Sequence, residues 1–154
     1  MKRPALSFLL GILLAAPAAG HGARAASATI AGPVEARVVR LIDGDTFVAE
    51  AFVWPGHAVT VAVRIRGIDA PELRGRCEAE RRAARRARAA LGRLLGRGPV
   101  TVRNIGGDKY YGRVLADVAA GGEGDVAGAM LRLGMARAYR GKTRHQMCAA
   151  AVPF

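Results

Sequence analysis

The sequence predicts a mainly β domain of the α+β class: a five-stranded barrel with two or three helices packed outside it. Three observations predict this. Short Val- and Thr-rich segments of period two, separated by Gly, Asp and Pro turns, fill residues 34–66. One long segment of helical period follows at 78–95. Two further strand-like segments and a short helix come after it. A chain of 154 residues suits one domain, and 51 % hydrophobic residues supply a core and exclude disorder by composition.

In chain order, Val34–Leu41 alternates and reads as a strand, Asp43-Gly44-Asp45 as a turn, and 46–53 as a second strand. Trp54-Pro55-Gly56-His57 is the next turn. From Ala58 to Arg66, Val59, Val61, Val63 and Ile65 share one face, and Thr60, Ala62, Arg64 and Arg66 the other. Glu78–Leu95 is a helix: Ala84, Ala87, Leu91, Leu94 and Leu95 line one side, and Arg81, Arg82, Arg85, Arg86 and Arg88 much of the rest. Glu78 stands four residues before Arg82, the favourable order for an ion pair. Gly96-Arg97-Gly98-Pro99 ends the helix. Strands are expected at 100–105 and 114–118, with a turn at Gly106–Lys109. Asp125 is an N-cap for a short helix through Leu133, and Met130, Leu131 and Leu133 are expected in its core face.

The formal charge is +12, from 24 Lys+Arg against 12 Asp+Glu. Such a charge attracts polyanions. Arg, Ala and Gly are all abundant, so compositional bias is the other reading of the charge. Residues 1–25 read as a secretory signal: Lys2 and Arg3, an apolar run from Leu6 to Leu14, then small residues, with cleavage near 25–28 at Ala23-Arg24-Ala25 or Ala26-Ser27-Ala28. The domain then covers 29–154, exported to the periplasm or secreted, with no stable membrane insertion after cleavage and a monomer expected. The alternative is a retained membrane anchor. Two cysteines, Cys77 and Cys148, suggest one disulfide in an exported chain, with two buried thiols as the alternative. By chain entropy such a bridge adds roughly 4 kcal/mol. Neither a CxxC pair nor a His/Cys cluster points to zinc, and His21, His57 and His145 read as surface residues.

Three segments carry chemistry. Asp43-Gly44-Asp45-Thr46 sets two carboxylates at a strand start; hard ions such as Ca²⁺ take oxygen ligands, although Asp-Gly is also ordinary hairpin chemistry. Arg64-Ile65-Arg66-Gly67-Ile68-Asp69-Ala70-Pro71-Glu72 delivers an arginine on a strand and two acids on the turn beyond it. Asp108-Lys109-Tyr110-Tyr111-Gly112-Arg113 sets a second arginine at the exit of a hairpin.

Together and in this order, the three segments resemble the staphylococcal nuclease (thermonuclease) family. Its pattern is an acid-Gly-acid-Thr turn, an Arg five residues before Asp-x-Pro-Glu, and a Lys-Tyr-Gly-Arg hairpin. The resemblance runs from about Val38 to Tyr139. It implies an OB-fold barrel and a calcium-dependent nuclease acting on DNA, RNA or both. It also implies roles. Asp45, Asp69 and the Ala70 backbone carbonyl bind Ca²⁺, with Asp43 supporting. Glu72 is the general base or contacts metal-bound water. Arg64 and Arg113 hold the scissile phosphate. Lys109, one of Tyr110 and Tyr111, and Tyr139 line the nucleotide side. Attack at phosphorus with departure of the 5′ oxygen leaves 3′-phosphate ends.

The chemistry suits these residue types. A phosphodiester is anionic and repels a nucleophile, and a cation with two guanidiniums offsets its charge. The planar arginine fork bonds two phosphate oxygens at once. The chain departs from the family at Ala70, where Thr is frequent, and in its extra tyrosine. The family's long C-terminal helix is expected to be absent, with a Cys77–Cys148 bridge tying down 140–154 instead. Two competing readings remain: a non-catalytic nucleic-acid-binding OB module, and a basic exported protein that binds cell-surface polyanions.

Overall fold

The computed structural model describes residues 29–121, 124–141 and 148; the signal segment, His21, His145 and most of 140–154 lie outside them. Five long strands form a mixed barrel: β1 (Val34–Leu41), β2 (Thr46–Trp54), β3 (His57–Ile65), β5 (Val100–Gly107) and β6 (Arg113–Ala120). Short strands β4 (Ile68–Asp69), β7 (Gly124–Asp125) and β8 (Arg137–Ala138) flank them, with helices α1 (Glu78–Leu95) and α2 (Val126–Arg132) outside.

The first three strands are an antiparallel meander because tight turns join them. Closure comes from distant pairings. β1 pairs with β5 as well as β2, and β3 runs parallel to β6, setting Arg64 beside Leu115. A register shift between Val38 and Arg40 lets β1 bend from one partner to the other. The order β3-β2-β1-β5-β6 with β3 against β6 leaves no open barrel edge.

Phe47, Val63, Ile65, Val100 and Leu91 fill the interior. Helix α1 buries Ala84, Ala87, Ala90, Leu91 and Leu95, with Leu94 only partly covered. Its alanines let it lie close to the barrel. That closeness explains Gly44. A Cβ there would stand 2.7 Å from the Ala87 Cβ and 2.8 Å from that of Ala70. The Asp-Gly-Asp segment is thus compact because α1 is seated on it, beyond any turn preference. Cys77, at the start of α1, is bonded to Cys148.

Several expectations shift at their edges. Val59 is exposed although it shares the alternating face, because the β2–β3 hairpin projects past the barrel. Strand β5 continues to Gly107 and β6 begins at Arg113, so the turn is 108–112, not 106–109. Asp125 caps α2 as expected, accepting from the Ala127 and Gly128 amides. Met130 is buried, whereas Leu131 and Leu133 face solvent, since the short helix covers the barrel with one stripe only.

Candidate active site

A cleft of about 780 Å³ opens where β3, the turn after it and the β5–β6 hairpin meet. Arg64, Glu72, Lys109, Tyr110, Arg113 and Tyr139 line it, with Asp43 at its edge. Asp45, Asp69 and Ala70 are not lining residues; they lie beneath Arg64.

Arg64 is the hub. β3 carries it to a buried position, and its side chain is 9 % exposed. Its guanidinium donates to Asp45 Oδ1 at 2.7 Å, to Asp69 Oδ1 at 3.1 Å and to the Ile68 carbonyl at 3.3 Å. Three of five N–H donors are thereby engaged, and two remain. Burial alone would lower its pKa, but Asp45 and Asp69 outweigh burial and raise it. The Tyr139 ring lies 5.9 Å from the guanidinium carbon.

Asp45 is saturated. Oδ1 also accepts from the Thr46 hydroxyl at 2.7 Å, and Oδ2 accepts from the Ala70 amide at 2.9 Å. So it is the amide N–H of Ala70 that faces Asp45. Burial pushes the Asp45 pKa up more than Arg64 draws it down, and neighbouring Asp43 adds to the rise. Asp43 accepts from the Asp45 amide at 3.1 Å, closing the turn.

At the other wall, Arg113 leaves the hairpin with its Nε bonded to Asp108, while its guanidinium carbon sits 4.5 Å from the Tyr110 ring centre. Anchoring through Nε leaves both terminal nitrogens for a bidentate contact. Burial would raise the Asp108 pKa, but the bonds from Arg113 and the Lys109 amide lower it overall. Lys109 shares the same ring, at 5.0 Å. Gly112, at φ 76°, turns the chain so that Tyr110 covers Arg113 and Tyr111 points fully into solvent. Of the two tyrosines, the cleft therefore contains Tyr110 and not Tyr111.

Tyr139 arrives by a route that local sequence does not announce. β8 pairs with β4, and the Tyr139 amide donates to the Gly67 carbonyl at 2.8 Å. Arg140 follows it into the lining. Arg66 braces the wall through Asp117 at 3.2 Å and the Leu115 carbonyl at 2.9 Å. Asp108, Arg66 and Arg140 carry no assigned role in the sequence reading. For Asp108 the available signal was an acid five residues before an arginine across a tight turn.

The acids here are hard oxygen donors, the type Ca²⁺ prefers. Asp45 and Asp69 already share one cation, Arg64, so the site tolerates positive charge between them. Among the described residues no three of these carboxylates bring ligand oxygens within 4.8 Å of one another. The group that does is Cys77, Glu80 and Cys148, whose sulfurs are bonded together. The donor set fits an ion held by two carboxylates and completed from outside the side chains.

Among the described residues no helix is long and apolar enough to cross a membrane. No curated protein matches the chain. The family model described as staphylococcal nuclease homologue matches residues 62–151, a span that takes in Arg64, Asp69, Glu72, the 108–113 hairpin and both cysteines. The chain belongs to the staphylococcal nuclease homologue family.

Proposed function

We propose that the chain is an exported, calcium-dependent nuclease that hydrolyses phosphodiester bonds in DNA, RNA or both. The observation that carries this is the convergence of Arg64, Glu72 and Arg113 on one cleft with Asp45 and Asp69 bonded to Arg64 beneath it. Export, to the periplasm or the medium, rests on residues 1–25.

Arg64 and Arg113 bind the scissile phosphate from opposite walls, using the donors that their carboxylate anchors leave. Glu72 accepts a proton from the attacking water or orients that water. Asp45 and Asp69 would hold the ion, with Asp43 supporting and the Ala70 carbonyl as a further oxygen. Bound there, Ca²⁺ would add positive charge against the phosphate oxygens as charge builds in the transition state. Lys109, Tyr110 and Tyr139 face the nucleotide. Such contacts read backbone and sugar, not base edges, so DNA and RNA both qualify. Departure of the 5′ oxygen leaves 3′-phosphate ends.

Cleavage of a defined oligonucleotide, with mass analysis of the ends in Ca²⁺ and in chelator, tests this. Ca²⁺-dependent 3′-phosphate products are expected; equal activity in both, or none in either, rejects it. A non-catalytic binding module is favoured by one observation: Arg64 is already held by two carboxylates. Oligonucleotide binding without cleavage, unchanged by Glu72→Gln, would decide for that reading.

A further inference from the structure

The basic face of α1 lies outside the cleft, whose lining contains no α1 residue. Glu78 engages Arg81, Arg82 and Arg85, and Arg88 donates to the Leu41 carbonyl. The Arg86 and Arg137 side chains make no hydrogen bond or ion pair with any described residue, although their backbones are engaged in α1 and in the β4–β8 pair. Both side chains are exposed.

These two arginines meet across a second groove, of about 210 Å³, between α1 and β8. Its lining is otherwise apolar, with Pro71, Ala83, Met135 and Ala136, and contains no carboxylate. Asp69 stands opposite Arg137 in the β4–β8 register, but its carboxylate bonds Arg64 and does not line the groove. The groove borders the cleft along two paths: Pro71 precedes Glu72, and β8 runs directly into Tyr139 and Arg140. The three steps from Arg137 to Arg140 span at most about 10 Å.

Two uncommitted guanidiniums over an apolar floor select an anion that carries an apolar body. Beside a phosphodiester cleft, a neighbouring nucleotide of the same strand has that form. We propose that the α1–β8 groove is a subsite for the strand flanking the scissile bond, with Arg86 and Arg137 gripping one of its phosphates and the Pro71–Met135 floor taking sugar or base. This rests on the nuclease reading.

The test pairs two measurements on the full chain. Binding of a long single-stranded oligonucleotide is followed by fluorescence anisotropy in chelator, across a salt series. Turnover of a dinucleotide is followed in Ca²⁺. Arg86→Ala with Arg137→Ala is compared with Arg93→Ala and Arg97→Ala, which remove equal charge away from the groove. The groove variant is expected to lose about tenfold in strand affinity. Its log–log salt slope should fall by about 0.7, the value for one phosphate of a single strand that is no longer neutralised. Dinucleotide turnover stays unchanged, and Arg86→Lys with Arg137→Lys restores most of the affinity. An unchanged slope, a loss matched by the control pair, or a parallel fall in dinucleotide turnover overturns the subsite. Should the wild type cleave neither substrate, the nuclease reading fails, while the salt titration still decides the groove.

Discussion

The two arginines of the cleft have the same head group and are held in opposite ways. Arg64 sits on a barrel strand, 9 % exposed, with Asp45 and Asp69 on its fork. Arg113 leaves a hairpin, 23 % exposed, with one carboxylate on Nε and a tyrosine ring against its plane. At the first, removing charge leaves a desolvated acid beneath it, so the group is tied to the stability of the barrel. At the second, the acid left behind, Asp108, is 11 % exposed on a hairpin turn against 2 % for Asp45, so the loss is smaller. One wall ties its arginine to folding, and the other leaves its arginine adjustable.

The sharpest way to break that contrast is to delete each arginine. Arg64→Ala should cost about 3–5 kcal/mol of folding stability, because Asp45 is left charged and buried without its partner; denaturant unfolding measures this. A cost near zero would mean Asp45 is protonated or rehydrated and the wall is not structural. Arg113→Ala should cost under about 1 kcal/mol of stability. Its cleavage rate should nonetheless fall by about 10²–10³, the scale of one missing transition-state donor. Equal stability losses in the two variants would erase the distinction.

Asp108 sharpens the second wall. Asp108→Asn should lower kcat/KM about tenfold, or about 1.5 kcal/mol, by loosening the Nε anchor. It should also alter acid stability. The Asp108 pKa is lowered in the fold, so its contribution is present above the ordinary carboxylate pKa of about 3.9 and lost as pH falls through the lowered value. The stability gap between wild type and Asp108→Asn should therefore close as pH drops below about 4, in denaturation series at several pH values. A constant gap would show that the carboxylate is not what holds Arg113. The smallest effect is expected at the ring. Tyr110→Leu should weaken phosphate binding about two- to fivefold, a cation–π loss of about 0.5–1 kcal/mol, readable by inhibition with a nucleoside bisphosphate.

Much of this arrangement is legible locally. The Arg64–Glu72 segment is a strand followed by a Pro-containing turn, both written in neighbouring residues. α1 announces itself by its alanine and leucine spacing, and Asp125 announces α2. Gly44 was legible as a glycine but not for its reason, since Ala87 reaches it from a distant helix. Tyr111 and Tyr110 were indistinguishable because only the turn's backbone geometry sends one inward. Leu131 and Leu133 looked like core because periodicity shows which residues share a face, not whether the opposite face has a partner.

Local patterning, governed by period-two and period-3.6 burial and by turn chemistry, determined the strands, the helices and the three charged turn segments of this protein from its residues alone. Tertiary structure decided what those segments meet. The parallel β3–β6 pairing brings the hairpin arginine toward Arg64, and the two-residue β4–β8 pairing delivers Tyr139 and Arg140 to the cleft. Both pairings join residues dozens of positions apart through backbone hydrogen bonds. Such bonds carry no side-chain signature, because almost every residue offers the same donor and acceptor.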